Sequence, residues 1–167
     1  MATKAWSQTH PGAVKTVVAY FSRTGNTRVI ANQIGRAKEA VLFEVHPAVP
    51  YPEDYEETVA QARRETEAGY LPPLKSFVAD IRQYDAIYLG FPIWGMTAPP
   101  VIRSFLRAHD LAEKTVHPFI THGGYGLGNS LEVVSSLSPR ALVEDAFSME
   151  ADQERRTLEQ VKGWLNS

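Results

Sequence analysis

Cysteine is absent from all 167 residues. That excludes disulfides, thiolate nucleophiles, cysteine-ligated iron–sulfur clusters and dithiol redox chemistry together. Charge of one sign is lacking too: 17 basic residues face 19 acidic ones, a net of -2. Such a balance leaves no basic footprint for nucleic acid and little field to steer a charged partner. No run approaches the roughly 20 apolar residues of a membrane span. Met1 to Gly12 lack the apolar stretch of a signal peptide and read as a polar, mobile tail ahead of one domain over 13–167, with a cytoplasmic location expected. His10, His46, His109, His117 and His122 show no ligand spacing, so no metal site is expected. Repeats, low-complexity runs and linkers are also missing.

What is present is an alternation of apolar runs with helix-period segments, the pattern of an α/β parallel sheet. Strands are predicted over Val14–Tyr20, Ala40–His46, Ala86–Phe91, Thr115–His122 and Ala141–Ser148. The first, third and fourth carry the most continuous apolar runs, as strands covered on both faces should. Glu44 in the second, and Glu144 and Asp145 in the fifth, suit edge positions. Ile30, Ile34 and Ala37 predict one helix stripe; Val101, Ile102, Phe105 and Leu106 a second, behind Pro99-Pro100. Leu131, Val134 and Leu137 give a third stripe, and Leu158, Val161 and Leu165 a fourth, with Trp164 packed in that last helix. A polar helix between Glu53 and Ala68 should turn Tyr55, Val59 and Ala62 inward and leave Glu65 and its charged neighbours on a solvated face. The predicted architecture is a three-layer αβα, doubly wound, five-stranded parallel sheet of order 2-1-3-4-5. Its ligand crevice lies at the carboxyl ends of strands one, three and four.

Those three strands end in the three most unusual loops. Ser22-Arg23-Thr24-Gly25-Asn26-Thr27 offers three hydroxyls, an amide and a glycine where a helix begins, and there unpaired N–H groups and the helix dipole favour an anion. It contains no lysine, which suits a phosphate that is held, not cut. A plain helix cap needs fewer such groups. Pro92-Ile93-Trp94-Gly95-Met96 sets an indole and a thioether beside a glycine. Thr121-His122-Gly123-Gly124-Tyr125 opens a stretch with four glycines between Gly123 and Gly128, letting backbone approach closely. Its spacing is not G-x-G-x-x-G and it does not follow the first strand, which argues against a tightly bound dinucleotide. Together the loops suit a mononucleotide with a wide, flat ring system. A phospho-acceptor receiver would need aspartates where Tyr20-Phe21-Ser22 and Gly90-Phe91-Pro92 stand, and a small tyrosine phosphatase would need a cysteine.

In these loops the chain resembles the flavodoxin family, whose phosphate loop Ser/Thr-x-Thr-Gly-Asn-Thr is matched by Ser22 to Thr27. The Pro50–Tyr55 stretch and the loops at Phe91–Gly95 and Gly123–Ser130 look most like bacterial flavodoxin-like FMN proteins. The resemblance implies non-covalent FMN, its phosphate on Ser22–Thr27 and its ring between Pro92–Met96 and Thr121–Tyr125. His122 has two readings, a donor at the flavin edge or a hydrogen bond to loop backbone. It implies electron transfer or small flavin oxidoreductase chemistry with a redox protein or a small molecule as partner. The alternatives are an NAD(P)H:quinone-reductase-like enzyme and a cofactor-free interaction module.

Overall fold

The computed structural model describes residues 14–150 and 154–167; the tail expected over Met1–Gly12 lies outside them. Its strands are β1 (Thr16–Tyr20), β2 (Val41–Glu44), β3 (Ala86–Pro92), β4 (Thr115–His122), β5 (Leu142–Val143) and β6 (Phe147–Glu150). Its helices are α1 (Asn26–Lys38), α2 (Tyr55–Ala68), α3 (Pro100–Ala108), α4 (Ser130–Leu137) and α5 (Glu154–Leu165). All pairings between these strands are parallel, in the order β2-β1-β3-β4-β5, with β6 also on β4. The expected 2-1-3-4-5 order is therefore the observed one.

Alternation along the strands divides the core into two layers. Val17, Ala19 and Phe21 of the first strand region face α3 and α4, against Val101, Ile102, Phe105 and Val134. Val18 and Tyr20 face the other way, onto Ile30, Ala31 and Ile34 of α1 and Val161 of α5. Trp164 closes that second layer, stacked on Phe147 at 5.0 Å and edge-on to Tyr88 at 5.6 Å.

Two expectations need correction. The single fifth strand over Ala141–Ser148 is two segments on one edge. Val116 pairs with Val143 and Phe119 with Phe147, so three steps along β4 are matched by four along the edge. The extra residue is a bulge, and it falls where Pro118 has no N–H to give the ladder. Its effect is to set the register that puts Glu150 opposite His122. The inner face of α2 is also different. Thr58, Ala62 and Glu65 are buried, whereas Tyr55 is 65% and Val59 42% exposed. Polar partners from the preceding segment take the place of apolar ones: the Thr58 hydroxyl donates to Pro52 O (2.6 Å) and the Tyr51 hydroxyl to Glu65 (2.7 Å).

Candidate functional site

At the end of β1 the chain folds into an anion cradle. Gly25 stands at the N-cap of α1 with φ 103° and offers no side-chain cap, and no acidic residue lies in the first turn. The earliest helical ring closes from Val29 N–H to Gly25 O, so the N–H groups ahead of it face outward. Gly25 N–H donates to Ser22 Oγ (3.1 Å), and Asn26 Nδ2 donates to Thr24 Oγ1 (3.3 Å). Each hydroxyl thus has an accepting site filled from inside, and among the described residues neither O–H has an acceptor. Both are left as donors toward an incoming oxygen. Arg23 does not enter the cradle: its Nη2 donates to Glu53 O (3.1 Å) and its guanidinium lies over the Tyr55 ring at 5.2 Å. It ties this loop to the segment before α2.

Thr27 is buried, and its hydroxyl meets that of Thr121 at 2.9 Å. This strut joins the first loop to the end of β4. Ile93 N–H donates to Thr121 O (2.8 Å), which brings the loop after β3 to the same point. There Trp94 and Thr97 exchange both backbone hydrogen bonds around Gly95 (φ 59°) and Met96 (φ 63°). Two positive φ values in succession make a type I′-like turn, natural for glycine and strained for methionine. The loop after β4 then returns onto this turn. Asn129 N–H donates to Met96 O (3.1 Å), and a Cβ on Gly128 would stand 1.8 Å from that oxygen. Only glycine permits this contact. The three loops converge as the strand order requires.

In the third loop, Gly124 N–H donates to His122 Nδ1 (3.0 Å). A neutral His122 is then protonated on Nε2, which makes that nitrogen a donor. Gly123 and Gly124 are exposed, and Tyr125 projects into solvent with 85% of its surface accessible. Glu150 comes within 3.2 Å of where a Cβ on Gly124 would be, placing a carboxylate beside this loop.

A fourth wall comes from the segment between β2 and α2. A cavity of about 320 Å³ is lined by Ser22, Arg23 and Thr24 on one side, by His46, Pro50, Tyr51 and Glu53 on another, and by Trp94. Trp94 is held edge-on by Phe21 (5.1 Å, 87°) and by Tyr51 (5.0 Å, 87°). Burial and the adjacent Glu65 push the Tyr51 phenol far up from its ordinary value, so it remains a donor. Reading loops only after strands one, three and four missed this wall. The signal was available: β2 adjoins β1, so its own carboxyl-end loop must reach the same crevice. Donors for phosphate oxygens at the first loop and aromatic walls at Tyr51 and Trp94 suit a phosphorylated planar ligand, while the Thr121–Tyr125 loop lies outside the lining of this cavity. Among the described residues no cluster of carboxylate and imidazole groups could hold a metal ion, and no helix is long and apolar enough to cross a membrane.

Comparison with known proteins agrees with this geometry. Among curated proteins none matches the chain. Among solved structures, a candidate flavoprotein from Bacteroides eggerthii DSM 20697 is 32% identical, with a TM-score of 0.78 over 92% of this chain and 96% of that one. A second candidate flavoprotein, from Bacteroides uniformis ATCC 8492, is 31% identical with a TM-score of 0.81, covering 93% and 99%. A flavoprotein from Lactobacillus acidophilus NCFM, solved in complex with FMN, shares the fold at 22% identity and a TM-score of 0.70, covering 88% and 99%. The model of the flavodoxin family matches residues 15–167. By sequence match and by fold, this chain belongs to the flavodoxin family.

Proposed function

We propose that the protein binds FMN non-covalently and works as an FMN-dependent redox protein. The observation that carries this is the convergence just described. An uncapped helix end with two outward-donating hydroxyls shares one cavity wall with Trp94, and struts from Thr27 and Ile93 meet on Thr121. The FMN in the Lactobacillus acidophilus homologue of this fold supports the same cofactor here.

Ser22 and Thr24 would donate their O–H groups, and the open N–H groups of α1 their hydrogens, to phosphate oxygens. Arg23 is held by Glu53 O and Tyr55. Arg28 is paired with Glu44, yet its Nη1 lies 4.0 Å from where a Cβ on Gly25 would stand. Charge compensation would come from neutral donors and the helix dipole, with the Arg28 guanidinium beside them. Trp94 and the exposed Met96 would border the ring and keep water from one side of it. His122, protonated on Nε2, would supply a hydrogen-bond donor at the ring edge. Bound FMN would supply the electron or hydride transfer itself.

The near-balanced charge gives weak long-range attraction to a charged carrier protein, which favours a small molecule as exchange partner and puts a small flavin reductase ahead of a dedicated shuttle. The test is an absorption spectrum of the purified chain, incubated with FMN and then desalted. Retained flavin peaks with micromolar or tighter affinity are expected; loss of all flavin on desalting, with no saturable binding at micromolar concentration, would refute the cofactor. Steady-state reduction of a quinone by the loaded protein with a reduced nicotinamide as electron donor, compared with reduction of a basic electron-transfer protein from the same donor, separates the two kinds of partner.

A further inference from the structure

Glu65 sits in the last turn of α2 with only 9% of its surface exposed. Among the described residues its partners are neutral: Tyr51 Oη donates to one carboxylate oxygen (2.7 Å) and Gln61 Nε2, one helical turn back, to the other (3.1 Å). Among the described residues no ion pair involves it. A buried carboxylate without a counter-charge costs desolvation that two neutral donors offset only in part, so an apolar side chain there would stabilise the fold better. Stability therefore does not explain its presence; what the carboxylate holds does. The Tyr51 loop is tied through its backbone at Pro52 and Glu53, while the Tyr51 ring packs edge-on against Phe21 at 6.2 Å and against the Trp94 indole at 5.0 Å. Phe21 constrains that indole from the first loop at 5.1 Å, also at right angles.

We propose that Glu65 is a positioning residue for Trp94: its carboxylate fixes the Tyr51 phenol, and the fixed Tyr51 ring sets the orientation of the indole that walls the site. Glu65 touches no ligand in this scheme. The Tyr51 phenol is pushed up by burial and by Glu65 itself, so the donor is not lost at any working pH. The part of the scheme that concerns Trp94 stands on geometry alone. The consequence for flavin rests on the FMN reading.

The experiment uses the full chain labelled with 5-fluorotryptophan and read by fluorine NMR without cofactor, the Trp94 resonance being assigned by its loss in Trp94→Phe. Trp164, on the opposite layer, serves as an internal check that the fold is intact. In Tyr51→Phe and in Glu65→Leu the Trp94 resonance should move at least halfway toward that of the free amino acid while Trp164 stays in place. Glu65→Gln, which keeps an acceptor for the phenol, should leave Trp94 where it is. FMN titrations of the same proteins should show dissociation constants raised about tenfold in both disruptive variants, and no further in the double variant, because both break one bond. An unmoved Trp94 resonance in a folded Glu65→Leu, or additive losses in the double variant, would overturn the proposal. If Glu65→Leu disturbs Trp164 as well, Tyr51→Phe decides, since it removes only the hydroxyl. A wild-type chain that takes up no FMN refutes the cofactor reading, and the fluorine spectra still judge Glu65.

Discussion

Two helices of this molecule begin at the same end of the sheet and are finished in opposite ways. At α2, Asp54 occupies the N-cap with extended backbone, and its carboxylate accepts Glu57 N–H; Glu56 and Glu57 add negative charge to the first turn. At α1 the cap is Gly25, with no side chain to accept anything and no acid in the turn that follows. The exposed N–H groups of a helix start need an acceptor. Helix α2 carries its own. Helix α1 awaits one, and the hydroxyls of Ser22 and Thr24 face outward as donors around the same spot. The helices α3 and α4 also start without a side-chain cap hydrogen bond, so what sets α1 apart is the pair of hydroxyls, Ser22 and Thr24, left as donors beside its start.

Putting a carboxylate one residue ahead of the α1 cap should give the largest effect. Thr24→Asp would put a carboxylate where the O–H now donates, satisfying the helix start internally and repelling a phosphate. At a few ångströms near the surface that repulsion is worth roughly 3–4 kcal/mol, so FMN affinity should fall by more than about 100-fold. Thermal stability should hold or rise, because the new charge suits the dipole. Riboflavin, which lacks the phosphate, provides the control: its affinity should barely change, and the preference for FMN should collapse. Equal losses for both flavins would mean that the cradle does not hold phosphate.

The ring end should respond the other way. Gly128→Ala drives a methyl into Met96 O, at a position whose φ of 54° is already costly for alanine. Overpacking of this kind costs about 1–3 kcal/mol, and the loop after β4 must lift from the Trp94–Thr97 turn to relieve it. FMN and riboflavin should both bind about tenfold more weakly, with their ratio unchanged. Parallel titrations of the two flavins read this directly. A selective loss of FMN would place Gly128 at the phosphate end instead.

The contrast also marks where the sequence was readable. The open cradle was legible because it is local: hydroxyls, amide and glycine lie within Ser22–Thr27, between an apolar run and a helix stripe. Strand order followed from the same apolar runs, and with it the meeting of three loops. Features set by two distant segments were not legible. Glu65 read as one more surface acid among Glu56, Glu57, Arg63 and Glu67, and its i,i+4 neighbour pair Arg63–Glu67 is indeed exposed. Its burial depends on Tyr51, fourteen positions earlier in a proline-flanked loop. The split of the last strand depends on a register against Pro118, and the Gly128 contact on an oxygen of Met96. Periodicity reports which way a residue faces its own element, not which polar partner meets it there.

Removing the cap that α2 does possess should cost stability alone. Asp54→Ala leaves Glu57 N–H without its acceptor, a loss of about 1 kcal/mol, equivalent to a Tm lower by roughly 2–4 °C in a chain of this size. The FMN-to-riboflavin preference should stay as in the wild type, measured on the same two titrations. A change in that preference would show that the α2 cap takes part in the cradle and would erase the distinction between the two helix starts.

A third helix end, closed by a group that titrates, gives the smallest and most conditional effect. His109 follows α3 and is buried; its Nδ1–H donates to Phe105 O (2.8 Å), and its Nε2 accepts Val78 N–H (3.0 Å). Burial lowers its pKa from the ordinary 6.5, the backbone bond to Phe105 opposing this only in part. A proton added at Nε2 would face the Val78 N–H donor to donor. The unfolded chain therefore takes up that proton first as pH falls. The stabilisation from neutral His109 is complete above pH 6.5 and is lost progressively below it, down through the lower folded value. His117, half-buried and stacked on Tyr88, is shifted in the same direction and contributes to the same slope. Urea unfolding at pH 7.5 and at pH 5 should show the wild type losing stability on acidification, and His109→Gln, less stable at pH 7.5, losing less. An identical acid loss in the variant would move the whole slope to His117 and leave the end of α3 as permanently closed as the start of α2.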